Sequence, residues 1–347
     1  MKHTLAIASL LALCTLNVNA ENADTTQTTN KTAIKAAEVI DNLAGRIHIN
    51  GYMQGGYDYQ SSDNQNSFNF KRAIVWAKAD ITDRWSFTYM HDFKASSLEY
   101  YTAYRVHKAL NLRLGQFKTS LSMENPMSPS KLELIDSYSQ PVKYLVGFTD
   151  PLIGAQGGRD LGFLVYGDIC NTGLKYELAV MNGQGINKND GNSDKDYAMK
   201  LDYRILKPLR IVVSGQLGRG HAIANSPFAP AIQQGDNYKR NRVTAGAEYV
   251  GQHFSLRSEW LKGWDGPYQS QGVYATAMKN LCKTVDAVAS YSWLDRNSQL
   301  NARQSNYTVG LQYWFYKKCR IQVQYTRWCP SFAKDYNLIQ LQTQVGF

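Results

Sequence analysis

Residues 337–347, Asn-Leu-Ile-Gln-Leu-Gln-Thr-Gln-Val-Gly-Phe, alternate strictly between two characters. Ile339, Leu341, Val345 and Phe347 share one parity, while Gln340, Gln342 and Gln344 share the other. A period of two places the two sets on opposite faces of a strand. One face is oily and ends in an aromatic residue. The other is almost pure amide, so it is expected to face water. Such a strand suits a transmembrane β-barrel, with lipid outside and a polar lumen within. It also suits a soluble sandwich, in which the oily face is an interior. The rest of the chain decides between them.

Lys2, the apolar run from Leu5 to Leu16, and Val18-Asn19-Ala20 form the three regions of a secretory signal peptide. Cleavage is expected after Ala20, giving a signal peptide over 1–20. The bulky Leu13 before Cys14 argues against lipidation. Residues 21–45 read as a short periplasmic lead-in, and residues 46–347 as the barrel. No later stretch is apolar for long enough to be a membrane helix. The 23 tyrosines and 7 tryptophans fit interfacial aromatic girdles.

Without Lys2 the balance is 37 basic to 28 acidic residues. Such an excess suits nucleic acid, an anionic surface or anionic solutes. Export and the lack of any zinc-finger or basic-helix pattern exclude nucleic acid. Cys170, Cys282, Cys319 and Cys329 are too irregularly spaced for a zinc site. They are expected as unpaired thiols, with a Cys282–Cys319 bridge as the alternative.

From Arg46 onward alternating segments recur, five before residue 119 and eleven after residue 158. The total, about sixteen antiparallel strands, is even, as in bacterial single-chain barrels. In the second strand the facing is ambiguous, because Ile74 and Trp76 share parity with Arg72. Tight turns, such as Lys207-Pro208 and Lys317-Lys318, alternate with longer loops near 60–67, 119–158, 183–194, 219–239, 263–270, 295–305 and 329–336. Short turns at one end and long loops at the other mark an outer-membrane barrel, and a soluble sandwich has no reason for that asymmetry.

The loop at about 119–158 is long enough to need an explanation. Ser130-Lys-Leu-Glu133 reads as a capping box opening a short helix from Lys131 to about Tyr138, ended before Gln140-Pro141. The loop also carries apolar residues, including Leu121, Leu132, Ile135 and Leu145, that need burial. It is therefore expected to fold into the lumen as a constriction.

Leu114-Gly-Gln-Phe-Lys118, Gly158-Arg-Asp-Leu-Gly162, Tyr176-Glu-Leu-Ala-Val-Met-Asn-Gly-Gln-Gly185 and Lys195-Asp-Tyr-Ala-Met-Lys-Leu-Asp-Tyr203 carry a resemblance. In order and spacing they resemble the phosphate-selective porins of the O and P type. The resemblance implies a sixteen-stranded barrel in the outer membrane of a Gram-negative bacterium. It also implies a homotrimer that passes anions such as phosphate under control of an inward loop.

Anion passage needs cations along a water-filled path, with arginine able to hold an oxyanion through two hydrogen bonds. Parity puts Arg72, Arg105, Arg113, Arg204, Arg210, Arg242, Arg257, Lys175 and Lys200 on the lumen face. Lys118, Lys131 and Lys143 can add charge at the constriction. Asp92, Glu99, Asp160, Glu177, Asp202, Glu248, Glu259 and Asp286 share that face. The near balance implies that many groups form cross-strand pairs carrying little net field. The expectation is therefore an outer-membrane porin for small hydrophilic solutes with a modest preference for anions, in contact with membrane lipid and without a cofactor. A general non-selective porin, an adhesin and a barrel hydrolase are the alternatives. For a hydrolase, the scattered histidines and the lack of Gly-x-Ser-x-Gly or His-Glu-x-x-His patterns offer no support.

Overall fold

The computed structural model describes residues 45–347, so the signal peptide and most of the lead-in lie outside the described residues. The first five strands are β1 (Ile47–Gln60), β2 (Gln65–Asp80), β3 (Trp85–Asp92), β4 (Ser97–His107) and β5 (Leu110–Lys118). After the segment 119–158 come β6 (Arg159–Ile169), β7 (Leu174–Met181), β8 (Asp196–Leu206), β9 (Leu209–Leu217) and β10 (Arg219–His221). The last seven are β11 (Asn237–Val250), β12 (Phe254–Asp265), β13 (Tyr268–Cys282), β14 (Val285–Asp295), β15 (Arg303–Tyr316), β16 (Cys319–Pro330) and β17 (Tyr336–Gly346). β9 and β10 both pair with β11 and are two parts of one wall position, interrupted at Gly218. A Cβ at Gly218 would sit 1.7 Å from the Asp196 carboxylate, so only glycine lets the chain pass there. Each strand pairs with the next, and β1 pairs with β17 from Tyr52↔Gly346 to Gln60↔Leu338. The sheet thus closes into a sixteen-strand antiparallel barrel with no free edge.

Alternation sets the two surfaces. On β17, Ile339, Leu341 and Val345 are exposed, while Gln340, Gln342 and Gln344 are buried. The same contrast holds on β1, where Met53 is exposed and Tyr52 and Gln54 are buried. The ambiguity in β2 has a local cause. Register shifts between Gln54↔Arg72 and Gly55↔Phe70, leaving Lys71 as an extra residue. The bulge reverses the facing of the residues beyond it. Phe68 and Phe70 point outward, and Arg72, Ile74 and Trp76 line an internal cavity.

One end carries two-residue connections at 108–109, 207–208, 283–284 and 317–318. The other end carries 119–158, 182–195, 222–236 and 296–302. The loop expected over 263–270 is instead a two-residue turn at 266–267, because Asp265 still pairs with Tyr268. All four cysteines among the described residues are free, so the Cys282–Cys319 bridge is not formed.

Candidate permeation path

Segment 119–158 closes on itself at its neck, where the Thr119 N–H donates to Gly158 O at 2.9 Å. From there it docks on the polar faces of distant strands. Near its start, Ser122 N donates to Ser214 Oγ on β9 at 2.9 Å, and Met123 N donates to Glu259 Oε1 on β12 at 2.9 Å. Further on it reaches β16. Gln324 Nε2 donates to Glu133 O at 2.6 Å, and Gln324 Oε1 accepts from Ile135 N at 2.8 Å. Gln322 Nε2 donates to the same Glu133 O at 3.0 Å, and Arg320 Nη2 to Leu132 O at 2.8 Å. Gln344 Nε2 of β17 donates to Ser130 O at 3.2 Å. The expectation that the glutamine face meets water is therefore corrected. These amides are buried because they both donate and accept, and so satisfy the backbone of an irregular segment that has no ladder of its own.

The expected helix over Lys131–Tyr138 is also absent. Glu133, which a capping box would turn back to the Ser130 N–H, gives its carboxylate to Arg257 Nη2 at 2.6 Å. Ser130 Oγ pairs with Ser128 Oγ at 2.9 Å. The one helix of the segment, α1 (Gln140–Leu145), begins where the expected one was to end. Pro141 sits in its first turn, where its fixed φ helps and its missing N–H costs nothing. Behind α1, Leu121, Leu132, Val142 and Leu145 pack on Leu261, Tyr274 and Leu294 of β12, β13 and β14.

Four of the expected lumen cations are committed to carboxylates. Arg257 Nη2 also lies 3.5 Å from Glu124, and its Nη1 lies 3.5 Å from Glu248. Arg242 Nη2 donates to both Asp265 oxygens at 2.9 and 3.0 Å and lies 3.7 Å from Asp150. Arg210 bridges Asp202 at 3.1 Å and Glu248 at 2.8 Å. Lys200 meets Glu177 at 2.7 Å. Three more lie toward the short-turn end. Arg105 and Arg204 donate to the turn carbonyls of Asp83 and Lys207, and the exposed Lys175 pairs with Asp168 at 3.7 Å.

The other five come together. Arg72, Arg113, Lys118, Lys131 and Lys143 line one cavity of about 680 Å³ between β1–β6 and the segment. Arg72 Nη1 donates to the Gln54 amide oxygen at 2.6 Å. The Arg113 guanidinium lies over the rings of Tyr101 at 4.3 Å and Tyr166 at 5.0 Å. Lys118 Nζ donates only to neutral oxygens, those of Asn125 and Met127 at 2.7 Å and the Tyr138 hydroxyl at 2.8 Å. Lys131 is exposed. Among the described residues, none of these four is ion-paired with a carboxylate. Lys143 meets Asp136 at 3.7 Å. Burial pushes the Asp136 carboxyl up, but Lys143 and Lys71 outweigh it and hold the group well below the usual carboxylate range. Asp136 therefore stays charged.

Arg159, which parity reasoning missed, also lines the cavity and pairs with Glu99 at 2.9 Å. Lys71, Arg240 and Arg320 were missed too. Arg240 and Arg320 share parity with Arg242 and Gln322 on their strands, and that alternation was the signal available. Lys71 gave none, because its position depends on the bulge.

The docking of the segment is titratable. Burial pushes the Glu124 carboxyl up to about 7, against the opposing pull of Arg257 and the Ser139 hydrogen bonds. A carboxyl whose folded value is raised adds stability that is full below its ordinary value of 4.5 and is lost as pH rises through about 7. Protease cleavage within 119–158 is therefore expected to be faster at pH 8 than at pH 5.5. Glu124→Gln should flatten that difference, and equal rates at both pH values in the unsubstituted protein would contradict the assignment.

Residues 42–206 match the model of the phosphate-selective porin O and P family. The protein is an outer-membrane porin, and residues 42–206 carry its likeness to that family. A search of curated protein sequences finds no match. Among solved structures, the porin is similar to in-vitro folded OmpT of Vibrio cholerae in its trimer form, at 9% identity and a TM-score of 0.63. That likeness covers 87% of this chain and 99% of OmpT. It is similar to the anion-selective porin from Comamonas acidovorans at 11% identity and a TM-score of 0.63, covering 87% and 99%. The outer membrane channel DcaP of Acinetobacter baumannii matches at 12% identity and a TM-score of 0.59, covering 87% and 97%. At these identities the likeness concerns the fold.

Proposed function

We propose that the porin lets small anions, inorganic phosphate among them, diffuse down their gradients past segment 119–158, folded into the lumen as its constriction. The observation that carries this reading is the row of Arg72, Arg113, Lys118 and Lys131 along one cavity without carboxylate partners. Elsewhere on the wall Arg210, Arg242, Arg257 and Lys200 are paired with carboxylates, so the field that a permeating ion feels is weighted toward this cavity. Asp92, Glu99 and Asp136 line the same cavity and temper that field, which supports a modest preference rather than a strict filter. Asp92 is held to the backbone N–H groups of Ala73 and Lys94 at 3.0 and 3.1 Å. Weak, multiple sites of this kind let an ion leave as readily as it enters.

The family and the trimeric form of the OmpT neighbour support assembly as a homotrimer. The outward apolar faces would meet lipid and neighbouring subunits. No catalytic step belongs to this reading.

The experiment is single-channel conductance of the purified porin with and without Lys131–Ser139. The deletion removes the contacts to Arg320, Gln322, Gln324 and Arg257 and opens the space beside α1. A conductance several-fold larger is expected. An unchanged value would place the segment outside the conducting path.

A further inference from the structure

The alternation that organises the wall fails on one patch. Behind the bulge at Lys71, Ile74 and Trp76 join Arg72 on the polar face. Met90 of β3 and Leu98 of β4 lie on the same cavity. Apolar side chains on the lumen side of a water-filled barrel call for a reason, since that face is ordinarily polar. Packing of the segment does not supply it. The segment's apolar cluster sits on Leu261, Tyr274 and Leu294, across the barrel from β2–β4. Ile74, Trp76, Met90 and Leu98 belong to none of the apolar clusters formed among the described residues. Trp76 is only half-buried and touches Tyr52 edge-on at 6.4 Å between ring centres. The cavity thus carries an oily strip beside its unpaired cations.

We infer that the path takes organic anions with an apolar body, such as aromatic or cyclic carboxylates, in preference to small hydrophilic anions. This rests on the reading of the cavity as the anion path. The carboxylate would meet Arg72 and Arg113, which carry no carboxylate partner of their own. The ring would lie over Trp76, Met90 and Leu98, the half-buried members of the strip, displacing water from surface that gains nothing from it. Inorganic phosphate uses the cations and leaves the strip wet.

The test uses the purified porin in planar bilayers, with benzoate and acetate as probes. Each is titrated into a chloride current, and the half-blocking concentration is read. Benzoate is expected to block at about fourfold lower concentration than acetate, or lower still, fourfold being roughly the factor for one fully buried methylene. Trp76→Gln with Met90→Gln should bring the two concentrations together while leaving the chloride current in place. Equal block by both probes in the unsubstituted porin overturns the inference, as does a benzoate preference that survives both substitutions. A KCl reversal potential without anion-selective sign, read before any organic anion is added, overturns the underlying path and this inference with it.

Discussion

Replacing Arg257 by alanine is expected to undock segment 119–158 and to destabilise the porin by about 3–5 kcal/mol, the cost of stranding buried charges. Arg257 is buried and faces Glu133 at 2.6 Å, with Glu124 and Glu248 each at 3.5 Å. Two of these three carboxylates belong to the segment and one to the wall. Without the guanidinium, the segment brings two acids against a third in a site with little water. The measurements are thermal unfolding of the assembled barrel and protease cleavage within 119–158. Arg257→Ala should lower the midpoint and expose the segment. Adding Glu124→Gln and Glu133→Gln should recover much of the loss, because amides tolerate the site without a cation. An Arg257→Ala midpoint within a degree of the starting value, with the segment still protected, would show that these carboxylates do not depend on it.

The second large effect concerns selectivity. Arg72→Gln, Arg113→Gln and Lys131→Gln together should abolish the preference for anions without unfolding the barrel. Arg72 and Lys131 hold no part of the segment, and Arg113 rests on aromatic rings of the wall. Lys118 is left in place because its three hydrogen bonds tie the segment to β5. A unit charge about 4 Å from an ion contributes about 1 kcal/mol even in bulk water, and more beside a low-dielectric wall. The anion-to-cation permeability ratio is therefore expected to fall roughly tenfold toward unity in 0.1 M salt. The effect should shrink at 1 M, where the screening length is about 3 Å. A ratio unmoved by all three substitutions would assign selectivity elsewhere in the lumen.

The barrel was legible because alternation is a local property. Each strand declared its oily and polar parity, and the contrast between short turns and long loops fixed which connections share an end. The exceptions have physical reasons. The bulge at Lys71 depends on pairing with β1, which no single strand announces. The capping box at Ser130 failed because Glu133 is drawn to Arg257, 124 residues away. The glutamines of β17 looked solvent-facing because what covers them is a segment from the other half of the chain, with Gln344 donating to Ser130 O and Gln340 to the Asp136 carboxylate.

The path itself was only partly legible. Parity assigned seven arginines to the lumen face, and the wall's own acids were weighed against them. Glu124, Glu133 and Asp150 were not, since they arrive on the segment and neutralise Arg257 and Arg242. Which cations remain free therefore depended on how the segment docks. Five of the twelve candidates line the cavity, and four of those lack a carboxylate partner there.

The most direct measurement is the reversal potential of the unsubstituted porin across a tenfold KCl gradient in planar bilayers. A cavity lined by unpaired Arg72, Arg113, Lys118 and Lys131 predicts an anion-selective sign that weakens as total salt rises. A potential near zero, or one of cation-selective sign, would contradict the account and make the cavity a general aqueous passage.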